Sequence, residues 1–267
     1  MRSHNKLIGV LATIGVLLPW SGWAQEDVSA LARLWQQHVR APSDHAAIVH
    51  SAQQMAAQYP SSTLLGVARG LAAWHALANA QTNTAVILLT PLLTEQADPI
   101  STEARTMAQH WLTRMDRERV RMALQNYYRD HVEFPSSLSA LNKLVITNRP
   151  PLADRFGQAW KYELKPLKRL IAARAQDYRL QSYTLGDDSD LVAVLRRPYG
   201  GGLVLWKPVR FIPATSADTS STVTFEKDGA KIILTEGARQ TGVTLVYARE
   251  GMIIITDGDY WWLFAKQ

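Results

Sequence analysis

From Val28 to about Asp130, apolar residues recur at three- and four-residue intervals; beyond Phe134 the period shortens to two. In VSALARLWQQHV (28–39), Leu31, Leu34, Trp35 and His38 fall on one stripe, as in a helix packed on one face. PSDHAAIVHSAQQMAAQY (42–59) predicts a second helix with Ser43 as its N-cap. SSTLLGVARGLAAWHALANA (61–80) predicts a third, where Gly66 and Gly70 let neighbouring helices approach closely. TNTAVILLTPLL (82–93) and ISTEARTMAQHWLTRMDRERVRMALQNYYRD (100–130) complete a helical half. Helical pairs joined by short Pro/Ser turns suit an α-solenoid of tetratricopeptide type. An irregular bundle is the other reading, because no second copy of a 34-residue pattern is found.

SSLSALNKL (136–144) is one more short helical stretch, followed by a TNRPP loop. QAWKYEL (158–164) and DYRLQSYTL (177–185) alternate apolar and polar residues and predict half-buried strands, with KPLKRLIAARAQ between them as a long hairpin tip. GLVLW, VRFI, TVTFE, KIILT, VTLVYA, MIIIT and YWWLF then form short apolar runs between Gly, Asp and Pro turns. FEKDGAKIILTEGA (225–238) is echoed by YAREGMIIITDGD (247–259) once one residue is dropped. In both copies Gly stands where a tight turn needs positive φ, so the expectation is one β-meander closed by two similar hairpins. The organisation expected is a multidomain α+β chain. It has a signal peptide (1–24), a helical domain (25–104), a long helix with a small antiparallel sheet (105–197) and a small all-β meander domain (198–267).

The segment 1–24 has the three parts of a secretory signal. Arg2 and Lys6 precede the apolar run LIGVLATIGVLLPW, and Gly22 and Ala24 take the −3 and −1 positions of a cut before Gln25. Fourteen apolar residues are short of the ~20 that a membrane-spanning helix needs. With no cysteine in the chain, disulfides, thiol chemistry and a lipoprotein anchor are excluded. The expected location is periplasmic or extracellular, with no transmembrane segment after cleavage. The 27 basic and 23 acidic residues beyond position 24 leave a net charge of +4. The excess is local: residues 105–180 hold 15 Lys/Arg against seven Asp/Glu. Arg114, Arg117 and Arg121 are expected on a solvated helix face, and export argues against a nucleic-acid partner.

GxSxG, HExxH, Gly-rich phosphate loops and EF-hand spacing are all missing. His38, His45 and His50 are close in sequence, but offsets of seven and five do not gather three imidazoles on one helical face. One acidic cluster, TLGDDSDL (184–191), places Asp187, Asp188 and Asp190 directly after a strand and a Gly. Oxygen-only ligands on a loop suit Ca²⁺. The same residues also suit an acidic turn bonded to its own backbone.

ALQNYYRDHVEFPSSLSAL (123–141), PLADRFGQAWKYEL (151–164) and YTLGDDSDL (183–191) together resemble the globular head of the major pseudopilin of type II secretion. The residues that carry the likeness are Tyr127, Phe134, Pro135, Leu138, Leu141, Pro150, Pro151, Asp154, Phe156, Gly157, Trp160, Tyr162, Leu185, Gly186 and Asp188. It covers about 85 of 267 residues. Arg155 replaces the usual proline, Thr184 replaces the usual serine, and the apolar pilin stem with its processing site is missing. The resemblance therefore implies the head fold without the fibre-forming role. It also implies a Ca²⁺ loop that includes Asp188 and Asp190, although DDSDL is shorter than the family loop.

These observations point to an exported, non-enzymatic binding or scaffold protein of the bacterial periplasm or envelope. Its partners would be proteins of the envelope, including type II secretion or pilus-like machinery. Two other classes stay open: an envelope-polymer hydrolase with an unrecognised carboxylate site, and an atypical pseudopilin-like fibre subunit. Mass spectrometry of the exported protein is expected to find Gln25 at the N-terminus. A retained residue 1–24 segment would instead favour the fibre subunit.

Overall fold

The computed structural model describes residues 23–94, 98–145, 149–165, 176–187, 189–215, 220–249 and 251–265. Residues 1–22 of the expected signal segment 1–24, residues 166–175 of the expected hairpin tip, Asp188 and part of the TNRPP loop lie outside the described residues. The fold is mixed α+β, with helices first and three small antiparallel sheets in the C-terminal half. The helices are α1 (Trp23–Arg40), α2 (His45–Gln58), α3 (Leu65–Ala78), α4 (Thr82–Leu89) and α5 (Pro99–His131). Among the described residues no helix is long and apolar enough to cross a membrane.

The predicted stripe on α1 is buried: Leu31, Leu34, Trp35 and His38 all face the core. The cap of α2 is Asp44, not Ser43; its Oδ1 accepts the Ala47 N–H at 3.3 Å, one residue further along than expected. Gly66 and Gly70 do serve close approach. A Cβ on Gly66 would sit 2.8 Å from Ala104 Cβ, and one on Gly70 would sit 2.6 Å from Trp261 Nε1. Asp98 caps α5 by accepting the Ser101 N–H at 2.9 Å, and Pro99, which has no N–H to donate, opens its first turn. The helix runs 33 residues, about 50 Å at 1.5 Å per residue. It ends at Val132, whose φ of 62° is left-handed.

That length lets α5 serve two cores. Ile100, Ala104, Met107, Ala108, Trp111, Leu112 and Met115 join a large cluster with α1–α4 and the C-terminal strands. Val120, Ala123 and Leu124 join a second cluster with Leu138, Leu141, Trp160 and Leu180. Leu138–Lys143 is the expected short helical stretch, wound as a 3₁₀ turn. Over this second core lie β1 (Lys161–Lys165) and β2 (Asp177–Gln181), paired antiparallel with Tyr162 opposite Leu180. A short helix, α6 (Leu191–Leu195), then leads back to the larger core.

GLVLW, expected as a strand, is instead a 3₁₀ turn at Gly201–Leu205. Burial there follows a three-residue step: Leu203 and Trp206 are buried, while Val204 and Leu205 are exposed. Gly200 has a φ of 85°, and a Cβ there would strike the Trp262 ring at 2.6 Å, so the chain turns tightly at that point. The expected single meander is two sheets. One orders β3 (Lys207–Ile212), β4 (Thr222–Lys227) and β5 (Ala230–Thr235). The other orders β6 (Arg239–Gln240), β7 (Val243–Arg249), β8 (Met252–Thr256) and β9 (Trp261–Ala265). The chain changes sheet at Glu236–Gly237: the Glu236 N–H donates to Ser221 O at 2.9 Å, and the Gly237 N–H donates to Leu245 O at 2.8 Å. The echoed hairpins are present. Asp228 and Gly229 turn β4 into β5 with φ of 51° and 79°, and Gly251 turns β7 into β8 with φ of 94°.

Gly70→Ala pushes a methyl against Met107 and Trp261 and is expected to lower stability by about 1–3 kcal/mol, read from the urea midpoint. Gly202→Ala, where a Cβ meets open space, is expected to change it by under about 0.5 kcal/mol.

Candidate functional site: a buried charged junction on the long helix

Between its two apolar stretches α5 carries Thr113, Arg114, Asp116 and Arg117, all buried; Arg114 is 4% exposed and Arg117 0%. The expectation of a solvated arginine face therefore fails at these two positions. The reason is helical phase. Arg114 stands three residues after Trp111 and seven after Met107, and Arg117 stands three before Val120 and seven before Leu124, so each lies within an apolar stripe. That phase was readable from the sequence. The counter-charges were not, because they come from remote loops.

Arg114 donates two parallel bonds to Asp259, Nη1 to Oδ1 and Nη2 to Oδ2, both 2.8 Å. His110 Nδ1 lies 2.7 Å from the same Oδ1, and Trp111 Nε1 donates to the Asp259 carbonyl at 2.9 Å. Burial alone would raise the Asp259 pKa; the bonds from His110 and Arg114 outweigh it and hold the carboxyl far below the usual range. Burial likewise works against the Arg114 charge, and Asp259 more than restores it. Arg117 Nη1 donates to the Asp187 carbonyl at 2.7 Å and to Asp187 Oδ1 at 2.9 Å, while Nη2 donates to the Ser189 carbonyl. A third strand of the junction runs through Asp116, whose Oδ2 accepts from Arg155 Nε at 2.5 Å. The Arg155 N–H also donates to Thr113 Oγ1 at 3.1 Å. Arg155, Asp187 with Ser189, and Asp259, from three remote segments, thus converge on little more than one turn of α5.

The acidic loop is resolved into separate tasks. Asp187 faces Arg117, with Arg114 Nη2 at 3.9 Å. Asp190 caps α6, its Oδ1 accepting the Ala193 N–H at 2.6 Å. Asp188 lies outside the described residues. Among the described residues no group of three or more His, Asp or Glu side chains stands placed to hold a metal ion. Asp154 ties the neighbouring turn: Oδ1 accepts the Phe156 and Gln158 N–H groups at 3.0 Å, and Oδ2 accepts Ser182 Oγ at 2.7 Å and Thr184 Oγ1 at 3.3 Å.

A second polar cluster joins three helices. His38 Nδ1 is 2.9 Å from His75 Nε2, and His45 Nδ1 is 2.8 Å from His75 Nδ1. His50, considered with His38 and His45 in the sequence, instead meets Gln54 at 3.0 Å. His75 sits in AAWHAL, a run of consecutive buried residues, and no sequence spacing links it to α1 or α2. Because His75 uses its two ring nitrogens in opposite directions, the trio is a hydrogen-bonded chain and does not converge on a common centre. Tyr199 packs on His38 at 4.9 Å between ring centroids and donates no charge; burial pushes its hydroxyl pKa up. Burial lowers His38 to about 4 and His75 to about 3, the latter helped by His38 and His45. Comparison with known proteins finds no matching family model, no similar curated protein and no similar solved structure.

Asp259→Asn leaves Arg114 buried without its counter-charge and is expected to lose about 3–5 kcal/mol in urea unfolding. The histidines carry a pH dependence of known sign. Below about pH 6.5 the unfolded chain protonates both rings while the folded chain keeps them neutral, so stability falls as pH falls toward 4. Between pH 7 and 5 the loss is expected to be roughly 2–4 kcal/mol, and the double variant H38Q/H75Q should flatten that slope.

Proposed function

We propose that the chain is an exported binding and scaffold protein of the bacterial periplasm or cell envelope, serving secretion or pilus-like machinery. In this reading the second core is a pseudopilin-like head carried by the last turns of α5. The helices α1–α5 form a solenoid-like platform braced by a small C-terminal β domain.

The observation that carries the reading is the meeting in space of the three motifs behind the resemblance. The Asp154 carboxylate joins the PLADRFG turn to the SYTLG loop through Ser182 and Thr184. The Tyr162 hydroxyl donates to the carbonyl of Pro135, in the FPSS motif, at 2.8 Å. Trp160 Nε1 donates to the Pro151 carbonyl at 2.8 Å, and the Phe134 ring packs edge-on to Tyr178 at 4.7 Å. PLADRFGQAWKY is thus a structural corner, in which Asp154 and Gly157 shape the turn and Trp160 and Tyr162 seat the strand. Around this core Val132, Val145 and Tyr183 are 78%, 70% and 64% exposed. Large apolar or aromatic side chains left in solvent on a rigid unit support contact with a protein partner.

A photo-crosslinking residue at Val145 or Tyr183 is expected to yield discrete adducts with an envelope protein in cells, and Asp154→Asn, which loosens the corner, should weaken them. Absence of adducts from both positions, together with release of fragments from peptidoglycan or envelope polysaccharide by the purified protein, would replace this reading with the hydrolase.

A further inference from the structure

We propose that Arg117 is the resident cation of the Asp187 and Ser189 oxygens, so that these oxygens are held without a divalent metal. Three oxygen atoms from Asp187 and Ser189 face one guanidinium: the Asp187 carboxylate, the Asp187 carbonyl and the Ser189 carbonyl. Such a set of hard oxygen donors is what a calcium ion would take from a loop. Here a guanidinium stands there. Its Nη1 spans the carbonyl and carboxylate of Asp187 at 2.7 and 2.9 Å, and its Nη2 takes Ser189. A planar fork with fixed donors can bridge a carboxylate and backbone carbonyls at once, which a lysine ammonium on a flexible stem does poorly.

Position and charge support the assignment. Arg117 has no solvent exposure, so its charge needs a counter-ion inside the fold, and Asp187 is the carboxylate paired with it. Arg114 lies on the same carboxylate at 3.9 Å. A dication brought to Asp187 would therefore meet two guanidinium groups and find both loop carbonyls engaged. Asp190, the other described acid of the cluster, is spent on the first turn of α6. The Asp187 carboxylate and the Arg117 charge neutralise each other, and Asp187 and Ser189 are tied to α5 through that one guanidinium. This inference concerns the loop alone and stands whether or not the second core is a pseudopilin-like head.

Thermal unfolding of the full exported chain in 5 mM Ca²⁺ and in EDTA tests it. The wild type is expected to melt within about 1 °C in the two conditions, since a ligand that does not bind gives no shift. Arg117→Met removes the cation and leaves the oxygens facing one another. Its melting temperature is expected to fall by about 5 °C or more and to recover in part with Ca²⁺. Arg117→Lys keeps the charge and serves if the methionine variant does not fold: it should lose less and stay insensitive to Ca²⁺. A wild type stabilised by Ca²⁺, a methionine variant that melts with the wild type or gains nothing from Ca²⁺, or a calcium response in the lysine variant overturns the proposal.

Discussion

Two arginines buried on one face of α5 set the terms for the rest of the fold. A guanidinium cannot shed its proton, so once Arg114 and Arg117 leave water they need carboxylates and carbonyls at hydrogen-bond distance. Neither helix α5 nor its neighbours in sequence supply them. Asp259 is 145 residues from Arg114, and Asp187 is 70 residues from Arg117. The last sheet must therefore be docked on α5 before Arg114 is satisfied, and the segment after β2 before Arg117 is. A buried ion pair of this kind adds little net stability over an apolar contact of the same size. What it does supply is discrimination, because arrangements that misplace the 187–189 loop or the 257–259 turn leave a charge stranded.

The division of labour along α5 follows from this. Its first half is an ordinary apolar stripe packed on α3 and the C-terminal strands, and its last turns belong to a small aromatic core under β1 and β2. A 33-residue helix could bend or swing between two such bodies. The polar segment from Thr113 to Arg117 falls where the two cores meet, and its bonds to three separate loops brace that point. The helix thereby links the larger core to the smaller one. That fits the proposed role, in which exposed apolar residues meet a protein partner in fixed orientation.

The histidine chain joins α1, α2 and α3 in a comparable way, with one difference. Arginine keeps its charge at any physiological pH, whereas imidazole is buried neutral here and regains a reason to leave the core as acid rises. One polar network of the larger body is therefore insensitive to acid down to the range where Asp259 protonates, and the other weakens first. Tyr199 and the edge-on Trp35 and Trp74 rings pack around this chain. Loss of neutrality at His38 or His75 would thus be felt where the helices contact the residues that follow α6.

Much of the architecture was legible in the chain itself. Helices and strands declare themselves by period because each buries one face: the α1 stripe, the close-packing Gly66 and Gly70, and the echoed hairpins turning at Gly229 and Gly251 all lie where the pattern places them. GLVLW is a departure: it is apolar throughout, as a buried strand would be, and only the structure shows it turning after Gly200 with Leu203 and Trp206 buried and Val204 and Leu205 exposed. What the sequence could not determine was which charges meet. The period placed Arg114 and Arg117 on a buried stripe, yet a charge on a buried stripe is intelligible only with its partner, and pairing across 70 to 145 residues is a property of the assembled chain. The same holds for the acidic cluster. Its composition suits a self-bonded turn as well as a metal loop, and tertiary structure alone decided that the Asp187 carboxylate faces an arginine, because only the docked helix brings that cation within 3 Å.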